Sequence, residues 1–156
     1  GNYGRSAYCP PYVPDLEFMR NAFSRFNWAV LFRSGVAPIE DFTDATRYLP
    51  HGAKHDRQTM EIVGKIETFA FADGYYLAVG FSSGGCKTTL CGGMLCQVLD
   101  SGRCRFPLKA RPSMEAVGID VYRLATKVGW EIYPIYNGVN PELVPCASSV
   151  GIVFIH

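Results

Sequence analysis

The sequence predicts an α+β (or α/β) domain: a single sheet of about four strands backed by helices, with a cysteine-rich loop after the second strand. Three observations carry this expectation. Trp28–Phe32 (WAVLF), Tyr75–Phe81 (YYLAVGF) and Val150–Ile155 (VGIVFI) are apolar or alternating runs of strand length. Segments between them repeat apolar residues at helical spacing. Helical and strand patterns interleave along 156 residues, which suits one sheet with helices packed on it.

Residues 1–14, GNYGRSAYCPPYVP, are rich in Gly, Pro and Tyr and read as loop. Leu16, Met19, Phe23 and Phe26 then recur on one helical face, and Pro14 and Asp15 suit the helix start. Trp28–Phe32 reads as a buried strand. Residues 33–54 read as a long polar connection with two prolines and two glycines. His51 and His55 near its end have a spacing that suits a metal on one helix face, but Pro50 and Gly52 oppose a helix at His51. Asp56–Ala72 reads as a helix with Ile62, Val63, Ile66, Phe69 and Ala70 on one side, stopped by Asp73 and Gly74. Tyr75–Phe81 is the best strand, with Tyr75, Leu77, Val79 and Phe81 on one face. Beyond the cysteine loop, Ser113 suits the cap of a helix running to Val128, with Met114, Val117, Val121, Leu124 and Val128 as its stripe and Gly129 as its stop. The positive end of that helix would face the loop. Glu131–Tyr136 (EIYPIY) reads as a weak edge strand, because Pro134 cannot donate to a ladder. Val150–Ile155 completes the sheet.

Composition bounds the function. At 48% hydrophobic and 19% charged, residues 1–156 suit one domain with its own core. A formal charge of +1 points to neither nucleic acid nor an acidic membrane surface. No apolar run approaches the roughly 18 residues that span a bilayer, and no basic-then-apolar leader opens the chain, so a cytoplasmic protein without membrane insertion is expected. In a reducing cytoplasm its six cysteines read as metal ligands or reactive thiols before disulfides.

The chemistry is concentrated in Gly84–Arg111, GGCKTTLCGGMLCQVLDSGRCRFPLKAR, which holds Cys86, Cys91, Cys96 and Cys104 at spacings C-x4-C-x4-C-x7-C. Four thiolates with three in a tight run suit an iron–sulfur cluster, and the interleaved glycines allow amide N–H groups to turn toward sulfur. A structural zinc and plain thiols or disulfides are the alternatives, although zinc sites more often use C-x2-C pairs, which this chain lacks. A phosphate-binding reading of GGCKTT fails, since Cys86 stands where the P-loop needs glycine before its lysine. Arg103, Arg105, Lys109 and Arg111 surround the last cysteine, where they would offset an anionic cluster or mark a docking face. Cys9, before Pro10, and Cys146 read either as further ligands or as lone thiols.

Gly1–Pro11 (GNYGRSAYCPP), Gly74–Phe81 and Cys104–Val121 (CRFPLKARPSMEAVGIDV) resemble the DUF2284 predicted metal-binding proteins, a cysteine-rich family of anaerobic bacteria and archaea. Arg111–Asp120 is the most specific segment and Cys9–Tyr12 (CPPY) supports it. The resemblance implies a cysteine-ligated metal centre, iron–sulfur in kind, in anaerobic metabolism, and no particular reaction. The family carries further cysteines ahead of the Gly-Asn-Tyr-Gly stretch and spaces its central cysteines more tightly. A longer parent chain or a divergent form is therefore implied, and with upstream cysteines Cys9 and Cys146 would complete a second cluster.

Three functions follow as expectations. The first is a [4Fe–4S] protein, its cluster on Cys86, Cys91, Cys96 and Cys104, acting as an electron-transfer or accessory subunit of a larger anaerobic redox complex. The second is an enzyme that uses an iron–sulfur site or a reactive Cys9 or Cys146 on substrate. The third is a zinc-stapled interaction module. No nucleotide or flavin fingerprint and no Ser/His/acid arrangement stands out, and His51, His55 and His156 lack persuasive partners, which favours a non-catalytic subunit.

Overall fold

A computed structural model describes residues 2–135 and 139–156 of the chain. Asp15 caps the first helix, α1 (Leu16–Phe23), by accepting from the Phe18 N–H at 2.8 Å. Strand β1 (Trp28–Arg33) follows. Short helices α2 (Glu40–Thr43) and α3 (Ala45–Arg47) and a π-helical turn, Tyr48–Gly52, lead into the long helix α4 (Ala53–Ala72). Strand β2 (Ala78–Phe81) delivers the chain to the cysteine segment, which contains α5 (Cys86–Thr89) and α6 (Gln97–Ser101). A 3-10 turn (Glu115–Val117), helix α7 (Val121–Lys127), a second 3-10 turn (Pro141–Leu143) and strand β3 (Val150–Ile155) complete the order.

The architecture is α+β, with three strands rather than about four. β3 is central and antiparallel to both neighbours in the order β1-β3-β2, with Val30 opposite Val153 and Gly80 also opposite Val153. Glu131–Ile135, expected to begin a weak edge strand, takes no regular structure, since Pro134 has no N–H to donate to a ladder, and Tyr136 lies outside the described residues. β2 is shorter than the Tyr75–Phe81 run because its ladder with β3 ends at Ala78 opposite Ile155. Only the His156 N–H to Leu77 C=O bond lies beyond it.

One face of the sheet meets α1 and the segment after the cysteines. Phe23 stacks on Phe154 with centroids 4.5 Å apart and meets Phe81 edge-on, around fully buried Met114. The other face meets α4, and Gly80 makes this approach possible: a Cβ there would stand 2.0 Å from Val63 Cγ1. Val63 and Ala70 are buried on α4, whereas Phe69 is exposed, because six residues carry it about 120° around the helix from Val63.

Two helices differ from the sequence pattern. α4 begins at Ala53, since the π-helical turn absorbs Pro50 and Gly52, so His51 is helical after all. The expected Ser113–Val128 helix is split. Ser113 Oγ accepts from the Ala116 N–H at 3.2 Å, but Gly118 adopts φ +82° and Asp120 starts a new helix by accepting from the Arg123 N–H. Met114, Val117, Val121 and Leu124 still reach the core through two short pieces, whereas Val128 is exposed. The helix end expected to face the cysteine loop is thus a single 3-10 turn.

Candidate metal centre

The cysteine segment is an excursion whose two ends are fastened together. Ser82, at the end of β2, receives nothing from its own hydroxyl but bonds twice through its backbone: its N–H donates to Pro112 C=O at 3.1 Å, and its C=O accepts from the Met114 N–H at 3.0 Å. Everything between, including Cys86, Cys91, Cys96 and Cys104, leaves and returns at one point on the sheet.

The first turn of α4 grips the beginning of this excursion. Asp56, buried, accepts from the hydroxyls of Tyr48 (2.7 Å), Ser83 (2.9 Å) and Ser149 (3.3 Å). The Tyr48 phenol is pushed above its usual range by burial first and by the Asp56 carboxylate second. Gly84 has φ +65°, and a Cβ on it would sit 2.5 Å from Asp56 Oδ2, so this position is closed to other residues twice over. Arg57, the next residue, donates to Thr89 C=O at 2.9 and 3.3 Å, and Met60 packs on Cys86 and Ala110. Asp56 therefore fixes the chain just ahead of the Cys86-bearing helix α5 at Ser83, and Arg57 holds the last residue of that helix.

The N-terminal segment closes the site from the other side. Gly4 N–H donates to Pro10 C=O at 2.8 Å, folding residues 4–10 into a loop, and Asn2 Nδ2 donates to Thr88 Oγ1 at 3.2 Å. Ser6, fully buried, places its Oγ 3.8 Å from Cys86 Sγ. A narrow cavity results, lined by Ser6, Tyr8 and all four loop cysteines.

The thiols around it are unpaired. Cys86, 8% exposed, is pushed up to about 11, by burial first; the Ser6 hydroxyl opposes this, and charge on Cys9, Cys91 or Cys96 adds to it. At Cys96 burial acts upward, but amides of Ala7, Leu99 and Val98 and the Ser6 hydroxyl together hold the thiol below its ordinary value. Cys104 Sγ accepts from the Phe106 N–H at 3.3 Å. Among the described residues no three Cys, His, Asp or Glu side chains converge closely enough to close on one metal ion. The sulfurs ring a cavity instead.

The structure thus brings Cys86, Cys91, Cys96 and Cys104 together around one cavity, and Cys9, in the N-terminal loop, is not among the residues that line it. Cys146 lies elsewhere, beside Tyr133 and next to the Ala37–Ala147 bridge. Of the histidines, His55 Nε2 stands 3.9 Å from Asp41, and His51 and His156 are exposed. The basic residues mostly brace backbone: Lys87 Nζ donates to Gly93 C=O at 2.5 Å and Arg105 to Leu95 C=O at 2.6 Å. Arg111 is paired with Glu67 and also donates to Leu108 and Ala110 carbonyls, and Glu67 in turn accepts from the Gly80 N–H. Its charge is answered locally rather than turned on the thiols. Ser6, Asp56 and Arg57 carry no motif, and contacts across 80, 27 and 32 residues leave no local pattern to read.

No helix of the described residues is long and apolar enough to cross a membrane. No curated protein and no solved structure matches the chain. A family model does, over residues 1–154, and its description agrees with a cavity ringed by thiols: the chain belongs to DUF2284, a family of predicted metal-binding proteins.

Proposed function

We propose that this protein holds a [4Fe–4S] cluster on Cys86, Cys91, Cys96 and Cys104 and serves, in a cytoplasmic setting, as an electron-transfer or accessory subunit of an anaerobic redox complex. The observation that carries this reading is one cavity lined by all four cysteines, with the Phe106 amide donating to Cys104 Sγ and nearby amides holding the Cys96 thiol below its ordinary value. Anionic iron–sulfur centres are stabilised and tuned by such N–H···S bonds. A thiol-only donor set favours soft, thiophilic metal, and four thiolates are the usual ligand set of an iron–sulfur cubane.

Bound there, a cluster of this kind supplies reversible one-electron chemistry. The chain's own residues do the rest. Ser6 and the amides of Ala7, Val98 and Leu99 stabilise thiolate at Cys96, while Arg57, Lys87 and Arg105 fix the backbone between the ligands and add positive charge.

The test is an anaerobic assay of iron, sulfide and zinc with the visible spectrum. The expected result is about four iron and four sulfide per chain and a broad brown absorption. Serine at Cys86, Cys91, Cys96 or Cys104 removes most of the iron, whereas Cys146→Ser retains it. One zinc per chain without colour, or full iron in all four loop variants, overturns the proposal.

A further inference from the structure

Charge is distributed unevenly in this nearly neutral chain. Residues 1–14 and 84–111, which hold every cysteine but Cys146, contain six of the 15 Lys and Arg and one of the 14 Asp and Glu. That is +5, and it leaves −4 for the remainder of a chain of net +1. The metal-site segments are therefore basic where the rest is acidic.

Part of this charge borders a hollow of about 480 Å³ lined by Arg5, Lys87, Leu95, Cys96, Leu99 and Asp100. Its apolar members face solvent, Leu95 at 78% and Leu99 at 40% exposure, and neighbouring Met94 and Tyr3 are likewise exposed. Exposed leucines rimmed by cations are what a docking face offers: apolar contact area at the centre and charge that steers and orients the partner. The same hollow reaches Cys96, so whatever sits in it meets the metal site through one ligand.

We propose that this hollow is the docking face for an acidic protein partner, seated over Cys96. The proposal rests on the electron-transfer reading for its purpose but not for its evidence, which is charge and exposure. Arg5 is exposed, and its guanidinium makes no hydrogen bond or ion pair among the described residues, its backbone N–H alone donating to Asn2 C=O, so the charge is available to a carboxylate. Asp100 is the one acid in the hollow, and it opposes the partner.

The experiment is isothermal titration of the metal-loaded chain with a strongly acidic plant-type [2Fe–2S] ferredoxin as probe. Wild type is expected to bind, with affinity falling as salt rises. Arg5→Glu and Leu95→Ser each weaken binding about tenfold or more, Asp100→Lys tightens it, and Arg123→Glu on the exposed side of α7 leaves it unchanged. Absence of binding by wild type, equal loss with Arg123→Glu, or self-association of the free chain that vanishes in Arg5→Glu overturns the proposal. Because binding is read and not reduction, a colourless chain that still docks faults the proposed function alone. A loaded cluster without docking faults this inference alone.

Discussion

Ser83 Oγ donates to Asp56 Oδ1 at 2.9 Å, joining the first turn of the long helix to the residue that opens the cysteine excursion. Among the described residues no cation is bonded to this buried carboxylate; three hydroxyls from three separate parts of the chain satisfy it. Hydrogen bonds to a charged acceptor contribute about 1.5–3 kcal/mol each in mutational series, and orphaned buried donors are costly. Asp56→Ala is therefore expected to destabilise the fold by about 3 kcal/mol and to speed loss of metal to a chelator. Asp56→Asn, which keeps an acceptor for Ser83, is expected to cost about 1 kcal/mol. Urea unfolding of both variants checks this, and equal destabilisation would contradict the hydrogen-bond account.

Three glycines should respond to alanine with different signs. Gly80→Ala drives a methyl into Val63 and should cost about 1–3 kcal/mol as overpacking. Gly84→Ala meets Asp56 at a left-handed φ, which adds about 1–2 kcal/mol of backbone strain to the clash. Gly64 lies inside α4 with nothing near its missing Cβ, so Gly64→Ala should stabilise by about 0.5–1 kcal/mol. Thermal melting resolves these differences at about 2–4 °C per kcal/mol for a chain of this size. A melting point lowered by Gly64→Ala would mean that α4 packs differently.

What could be read from the sequence was what neighbours in the chain decide. The runs at Trp28–Phe32 and Val150–Ile155 are strands, though the first, read as buried, is an edge strand with Trp28 and Val30 exposed, and Leu16–Phe23 is a helix capped by Asp15 as its charge suggested. Met114, Val117, Val121 and Leu124 of the expected stripe did go to the core while Val128 stayed exposed, and the period concealed the break, since Gly118 and Asp120 fall between apolar positions without disturbing them. The four cysteines stood out by spacing, yet their setting did not. Ser6 reaches Cys86 across 80 residues and Ser149 reaches Asp56 across 93, and tertiary contacts of that range write nothing periodic into the chain. Arg111 shows the same limit from the other side: near Cys104 in sequence, it is spent on Glu67 in space.

The metal-free protein should lose stability in mild alkali through Cys86. Its folded thiol titrates at about 11 against an ordinary 9.0, so the buried neutral form contributes stability that is complete below about pH 9 and is lost as pH rises toward 11. Two pH units correspond to about 2–3 kcal/mol. Cys96, held below its ordinary value, acts with the opposite sign, so the informative quantity is the difference between wild type and Cys86→Ala. Urea midpoints from pH 7 to 11 should converge as pH rises. Parallel profiles would mean that Cys86 is not buried as a thiol.

Removing the metal should loosen one region and spare another. Between Ser82 and Ser113 the excursion is short helices and turns, held by polar contacts such as Asp56–Ser83 and Arg57–Thr89 and by few buried apolar contacts beyond Met60, Leu90 and Ala110, so a metal on its thiols should add much of its order. The sheet beyond those two residues has its own ladder and the Met19–Met114–Ile152 core. Because the excursion's ends are pinned to each other through Ser82, Pro112 and Met114, opening within it need not pull on β2. On chelation, amide exchange from Lys87 to Cys104 is expected to rise about tenfold or more, equivalent to about 1.4 kcal/mol of local opening. Exchange at Val30, Ile152 and Val153 should stay near its metal-bound rate. If those strand amides accelerate equally, the metal site and the sheet unfold as one unit, and the pinning at Ser82 and Ser113 does not insulate them.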